Sequence, residues 1–283
     1  MFIRTLVSSV FTLVSSFTCF AQGNDSGFAF YLFEGRKYDD LLLLLEQSPK
    51  GEISDSVGYI LGMTHYYRKE FDKSAGYLSA VSCSSAFYDK SIFFSSIGYA
   101  HLGEYSKAQT ILENYSATAP TVEYDELLNM ELAGLALLKR DFEMFDHHSE
   151  KLGFERYHYA DSETQLMNVR KTLCSYRRKS ALVAGLLSAA APGTGKIYTG
   201  HIGEGVAAFL TVGSLAAITA ENWMKNGPAD LKTITFGAIC SIFYIGNIYG
   251  SAVTVQIRKN QIEDKQNHTV LLAIHLPVRA LFE

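Results

Sequence analysis

From Thr233 to Ile257 the chain runs for 25 residues without a formal charge, bounded by Lys232 on one side and Arg258-Lys259 on the other. At a rise of about 1.5 Å per residue, a helix of this length crosses a hydrocarbon core of about 30 Å with room for tilt. A second apolar run, Val206 to Ala220, reaches across once Ile202 to Gly205 and Asn222-Trp223-Met224 are added, with Trp223 placed as an interfacial ring. Asn226-Gly227-Pro228 makes the polar turn between them. Ala181 to Ala191 is shorter: a re-entrant piece, an interfacial piece, or the short first span of a three-span unit. Charges are common from Glu34 to Lys179 and sparse from Ser180 to Ile257, so a water-facing part precedes a membrane part. Residues 180–257 are therefore read as a helical membrane hairpin of two or three apolar segments.

The N-terminus reads as an export signal over residues 1–21. Arg4 supplies the positive end, Leu6 to Phe20 is uncharged, and Cys19-Phe20-Ala21 puts small residues at −3 and −1 of a cleavage site. A retained anchor is the alternative, but the run is short and Gly23-Asn24-Asp25-Ser26 after it is polar. Thr18 and Ser16-Phe17 before Cys19 do not fit a lipidation signal. The four cysteines have no metal-ligand or redox spacing. For Cys83 and Cys174 a disulfide and a pair of buried small thiols are the two readings.

Residues 24–152 repeat. Phe71 and Tyr105 are 34 residues apart, and each follows a short turn, Arg68-Lys69-Glu70 and Leu102-Gly103-Glu104. Gly62 and Ser96 stand nine before them, Ser74 and Ala108 three after, Leu78 and Leu112 seven after, and Pro120 closes the second copy. Small residues let two helices of a hairpin approach, and aromatics and leucines at helical spacing fill the seam. Gly35-Arg36-Lys37-Tyr38 and Lys139-Arg140-Asp141-Phe142, the latter preceded by Gly134, mark two weaker copies. The pattern resembles the tetratricopeptide repeat, most clearly in Ser96, Tyr99, Gly103, Tyr105, Ala108, Leu112 and Pro120; the copy before it carries Gly62 and Phe71 but departs at His65, which stands where an aromatic is usual. The resemblance implies a short all-α solenoid whose concave face holds a peptide or protein, without catalysis.

Residues 153–179 form a connector, with one helix over Asp161 to Arg178, Ser162 as N-cap and Leu166, Val169, Leu173 and Tyr176 as its apolar stripe. Its basic end, including Arg177, Arg178 and Lys179, suits a helix C-terminus and equally contact with anionic headgroups. Residues 258–283 are a tail in which Thr269-Val270-Leu271-Leu272 and Ile274-His275-Leu276 alternate as a short strand would.

Ala189 to Gly205 contains Gly195-Lys196, which invites comparison with a phosphate-binding loop. That loop needs glycine where Ala190 stands and a hydroxyl where Ile197 stands, after a buried strand that is not indicated here. Pro192 stops a helix, Gly193 and Gly195 permit positive φ, and Tyr198 suits an interface. Lys196 is then placed to snorkel to a phosphate headgroup. Pro192, Gly193, Gly195, Tyr198, Gly200 and Gly205 together resemble the turn of an uncharacterised bacterial membrane-hairpin family, similar to the TM2-type domain. The resemblance implies location in a bacterial envelope and assigns no activity. Gly246 and Gly250 form a small-xxx-small pair beside Asn247, a buried polar group wanting a partner; this favours helix packing, the alternative being the plain frequency of glycine in membrane helices.

The expectation is an exported scaffold in the inner membrane, its repeats in the periplasm binding an envelope protein or peptide, with homo-oligomers formed through membrane helices as a further option. A small oligomeric transport or channel component is the alternative, and an enzyme the third. No nucleophile and base, paired carboxylates or metal cluster stand out, His147-His148 with Glu150 included, so no cofactor is expected. A net charge of −4 argues against a nucleic-acid partner.

Overall fold

The structure, a computed structural model, describes residues 25–47, 54–118 and 122–282. The export-signal segment and Pro120 lie outside these residues. Among the described residues the fold is all-α, with no strand. It divides into two units, one drawn from Met1–Arg170 and Thr269–Glu283, the other Lys171–His268.

The first unit is a row of helical hairpins: α1 (Asp25–Glu34) with α2 (Tyr38–Gln47), α3 (Asp55–Tyr67) with α4 (Phe71–Ser79), α5 (Tyr88–His101) with α6 (Tyr105–Thr118), and α7 (Asp125–Lys139) with α8 (Phe142–Ser149). Every second helix begins on the aromatic that marks its repeat, Tyr38, Phe71, Tyr105 or Phe142. Two residues earlier the chain is left-handed each time, at Arg36, Lys69, Gly103 and Arg140, with φ between 55° and 79°. In each turn the next N–H returns to a carbonyl five residues back: Lys37 to Leu32, Glu70 to His65, Glu104 to Tyr99 and Asp141 to Ala136, all at 2.9 Å. This is the 6→1 bond of a Schellman helix end. The same turn is thus built four times, although only one copy uses glycine and the last lies 37 rather than 34 residues on.

The hairpin seams hold the small residues the spacing demands. A Cβ on Gly62 would stand 2.5 Å from Leu78 Cγ, so α3 and α4 meet closely there. Between repeats the close approach is at Gly98, whose Cβ would lie 3.1 Å from that of Ala75, while Ser95 donates to the Ala75 carbonyl at 3.1 Å. His65 takes the place Tyr99 has in the next copy; it stacks on Tyr77 and bonds Glu70 at 3.0 Å, a flat ring with a polar edge satisfied.

The C-terminal tail is helix, not strand. It is the last part of α13 (Leu231–Phe282), and Thr269 onward belongs to the repeat unit. Val270, Ala273, Ile274 and Val278, one stripe at helical spacing, are all fully buried. A Cβ on Gly134 of α7 would lie 2.2 Å from Ile274 Cγ2. His275 bonds the Tyr66 hydroxyl of α3 and stands edge-on to His101 of α5. Phe282 packs among Phe93, Phe94 and Tyr124. The helix therefore lies across the first helices of three successive hairpins, the face expected to stay open for a partner. Gly134 serves this helix rather than the seam of its own hairpin.

The connector helix α9 (Ala160–Ser175) starts ahead of Ser162, which is buried inside its first turns instead of capping it, and ends before Arg177. Cys83, Cys174 and Cys240 form no disulfide, and Cys83 and Cys174 are exposed, so neither the bridge nor the buried thiols are found.

The second unit contains α10 (Ala181–Ala190), α11 (Thr194–Thr199), α12 (Ile202–Asn226) and the first part of α13. By length and composition α12 and α13 are each able to cross a membrane, and their apolar windows are only 11% and 22% buried. A core helix of a water-soluble fold would be mostly buried.

Candidate functional site

The glycine turn of the second unit brings α10, α11, α12 and α13 together. Ser180 caps α10, its hydroxyl accepting from the Val183 N–H at 3.4 Å. The helix stops at Ala190 before Pro192, and Gly193, with φ +84°, reverses the chain into α11. A Cβ on Gly193 would stand 2.0 Å from the Gly205 carbonyl oxygen, and one on Gly195 would stand 2.0 Å from that of Ala184. One on Gly205 would strike Ile197 at 2.5 Å. Three motif glycines are therefore points where backbone passes backbone or side chain without room for a methyl. Gly200 meets nothing and answers instead to φ +96°.

Backbone groups freed by this reversal find internal partners, as they must away from water. Thr194 donates to the Leu187 carbonyl at 2.6 Å, and Tyr244 donates to that of Ala189 at 2.5 Å. The Gly195 N–H donates to Ser188 Oγ at 3.0 Å, and Ser188 Oγ lies 2.7 Å from Ser251 Oγ. Gly185 faces Ile248 and Ala252 across the same line. Tyr198 lies beside Lys179, which donates to the Tyr198 carbonyl and sits 5.0 Å over its ring. So α10 runs along α13 from Ala252 to Tyr244, and α11 returns to Lys179.

The Lys196 ammonium lies 3.6 Å from the Glu204 carboxylate, and its stem runs 3.9 Å from where a Gly250 Cβ would be. Beside it, Asn247 is only 7% exposed, and neither its amide oxygen nor its nitrogen has a hydrogen-bond partner. Lys196, Glu204, Thr211, Gly246 and Asn247 line one cavity of about 450 Å³, walled otherwise by residues such as Val212 and Phe243. A Cβ on Gly246, which lines this cavity, would meet nothing within 4 Å, and one on Gly250 would stand 3.9 Å from Lys196 Cε. The Gly195 N–H is committed to Ser188 and Lys196 to Glu204, which leaves no phosphate cradle.

Arg177 and Arg178 are exposed. Glu204, Ser188, Ser251 and Tyr244 belong to the site although no motif marks them; the only sequence signal is Glu204, a lone acid at the start of an apolar run. In the repeat unit, burial alone holds the Glu131 carboxyl well above the usual carboxylate range, and neither of its oxygens has a hydrogen-bond partner. Arg68, Lys73 and His65 around Glu70 lower its pKa to about 2, hydrogen bonding by Arg68 being the largest cause. Among the described residues no group of three His, Cys, Asp or Glu could hold a metal. No protein-family model, curated protein or solved structure matches the chain.

Proposed function

We propose that the protein is a membrane-anchored interaction scaffold of the bacterial envelope, its repeat unit holding a helix in a groove and its second unit fixed in the bilayer. The supporting observation for the anchor is the apolar surface of the second unit: Leu210, Ile242, Ile245, Phe209 and Phe243 are each more than half exposed. Two crossings, by α12 and α13, go with an α10 that spans only about half the hydrocarbon core. An even number of crossings also leaves Arg170 and Thr269 on one side, as a unit built from both requires. With an export signal at the N-terminus, that side is the periplasm and the membrane is the inner one.

The groove reading rests on the helix already in it. Val270, Ala273, Ile274 and Val278 enter it at the spacing by which amphipathic helices dock in hydrophobic grooves. A partner helix of the same pattern would compete with the chain's own. The test is a synthetic peptide of residues 266–283 added to the soluble fragment from Gln22 to Arg170 and to the full-length protein. Binding to the fragment, with binding to the full chain at least about tenfold weaker, supports the reading; no binding to a folded fragment refutes it. Extraction of the full chain from membranes by alkaline carbonate would separately refute the anchor.

The Lys196–Glu204 pair beside unpartnered Asn247 favours a second reading, a small oligomeric transport component, because polar groups among membrane helices mark ion or solute paths. Solute or ion flux in liposomes holding the full-length protein, abolished by Asn247→Leu, would carry that reading; its absence would remove it.

A further inference from the structure

We infer that the second unit carries a binding site for the phosphate of an anionic phospholipid. The inference rests on the membrane reading above. The site is a cavity of about 670 Å³ where the stretch after α9, the α11–α12 turn and α13 meet. Four cationic side chains line it: Arg177, Lys179, Arg258 and Lys265, with Gln261 and Tyr176 adding neutral polar groups. No carboxylate does. Of the two acids on this stretch of α13, Glu263 turns to Lys259 at 3.4 Å, and Asp264, next to Lys265, does not line the cavity. Arg177 and Lys179 from one segment and Arg258 from another, far away in sequence, repel one another unless an anion joins them, and a phosphate diester is the group that arginine and lysine forks suit.

Three features select a lipid over a free phosphate. The cavity sits where the uncharged run of α13 ends, at Ile257-Arg258, and where apolar α10 begins, at Ala181. Large apolar side chains stand exposed beside it, Leu182 at 70%, Ile202 at 63% and Ile257 at 46%, as a surface for acyl chains. Lys179 is held in place by the Tyr198 carbonyl and ring, so the site is ordered before a headgroup arrives. The site also accounts for an anomaly of topology. Basic residues beside a span ordinarily mark the cytoplasmic side, whereas the export signal puts these outside; as ligands of a headgroup they need not direct insertion.

The test uses full-length protein in detergent, with phosphatidylglycerol, phosphatidylcholine and inorganic phosphate as probes, and native mass spectrometry plus thermal melting as readouts. Phosphatidylglycerol should be retained at least about tenfold over phosphatidylcholine, and R177Q/R258Q should cut retention by about tenfold or more. Both arginines are exposed, so the lipid-free melting temperature should not move. If the double variant fails to fold, R258Q alone with a salt titration gives the same answer, since retention should fall as salt rises. Equal retention of the two lipids, or an unchanged variant, overturns the site. Full competition by inorganic phosphate overturns the lipid as its ligand. Carbonate extraction of the same protein, scored separately, reports on the anchor and not on the cavity.

Discussion

The docking of the C-terminal helix can be measured through one pair of residues. Ile274 is fully buried, and its Cγ2 lies 2.2 Å from where a Cβ on Gly134 would be, against the 3.4–4 Å of ordinary contact. Gly134→Ala therefore demands a movement of more than about 1 Å, and a β-branched side chain on a helix has one preferred rotamer and little room to turn aside. Overpacking of this kind costs about 1–3 kcal/mol. Ile274→Ala removes a fully buried side chain and costs about 2–5 kcal/mol, so a 266–283 peptide with that change should bind the repeat fragment about 30-fold to several thousand-fold more weakly. Together the changes relieve each other, because deleting Cγ2 opens the space the new methyl needs. A double-mutant cycle, read by titration calorimetry or by hydrogen exchange of the docked helix in the full chain, should give a coupling of at least about 1 kcal/mol. Additivity within about 0.5 kcal/mol would refute the contact, and unchanged binding by the Ile274→Ala peptide would refute the groove.

The other predictions bear on the core and the turn. Glu131 keeps its proton when folded and loses it above about pH 4.5 when unfolded, so each pH unit above that lowers stability by about 1.4 kcal/mol until the raised folded value is reached. Glu131→Gln should flatten that decline in melting temperature; parallel pH profiles for the two proteins would contradict it. Burial lowers the pKa of His65 and His148, so the unfolded state takes up more protons as pH falls below about 6.5; Glu131→Gln should therefore still lose stability toward acid, and a profile flat through that range would count against the buried histidines. Gly193→Val with Gly195→Val should abolish stable membrane insertion, because both side chains would run into backbone carbonyls. Lys196→Ala, by contrast, should insert and fold normally, since Glu204 is 61% exposed and tolerates losing its partner; carbonate extraction distinguishes the two outcomes.

The repeat is legible because Tyr38, Phe71, Tyr105 and Phe142 each head a second helix, so an aromatic recurs at a near-constant spacing. What could not be read was the left-handed residue before three of them, since Arg36, Lys69 and Arg140 carry no glycine to announce it. The closing helix is hidden in Thr269-Val270-Leu271-Leu272, where short alternation imitates a strand. The helical stripe Val270, Ala273, Ile274 and Val278 was present in the same residues, but its burial depends on a groove contributed by chain more than a hundred residues earlier. The glycine turn was recognisable as a reversal, and Lys196 as unusual. Pairing Lys196 with Glu204, and setting both beside Asn247, needed α11 to fold back along α13, which no local spacing encodes.

Topology tests the central claim most directly: that two helices cross the membrane and return the C-terminal helix to the repeats. Exposed Cys83 serves as the reporter on the repeat side, with Cys174 and Cys240 replaced and a single cysteine placed at Asn226 or Asp264 in turn. In intact cells or oriented vesicles, an impermeant thiol reagent should label Cys83 and Asp264→Cys from one side and Asn226→Cys only from the other. Labelling of Asp264→Cys from the side opposite Cys83 would mean an odd number of crossings, and neither the docked helix nor the shared repeat unit could then exist.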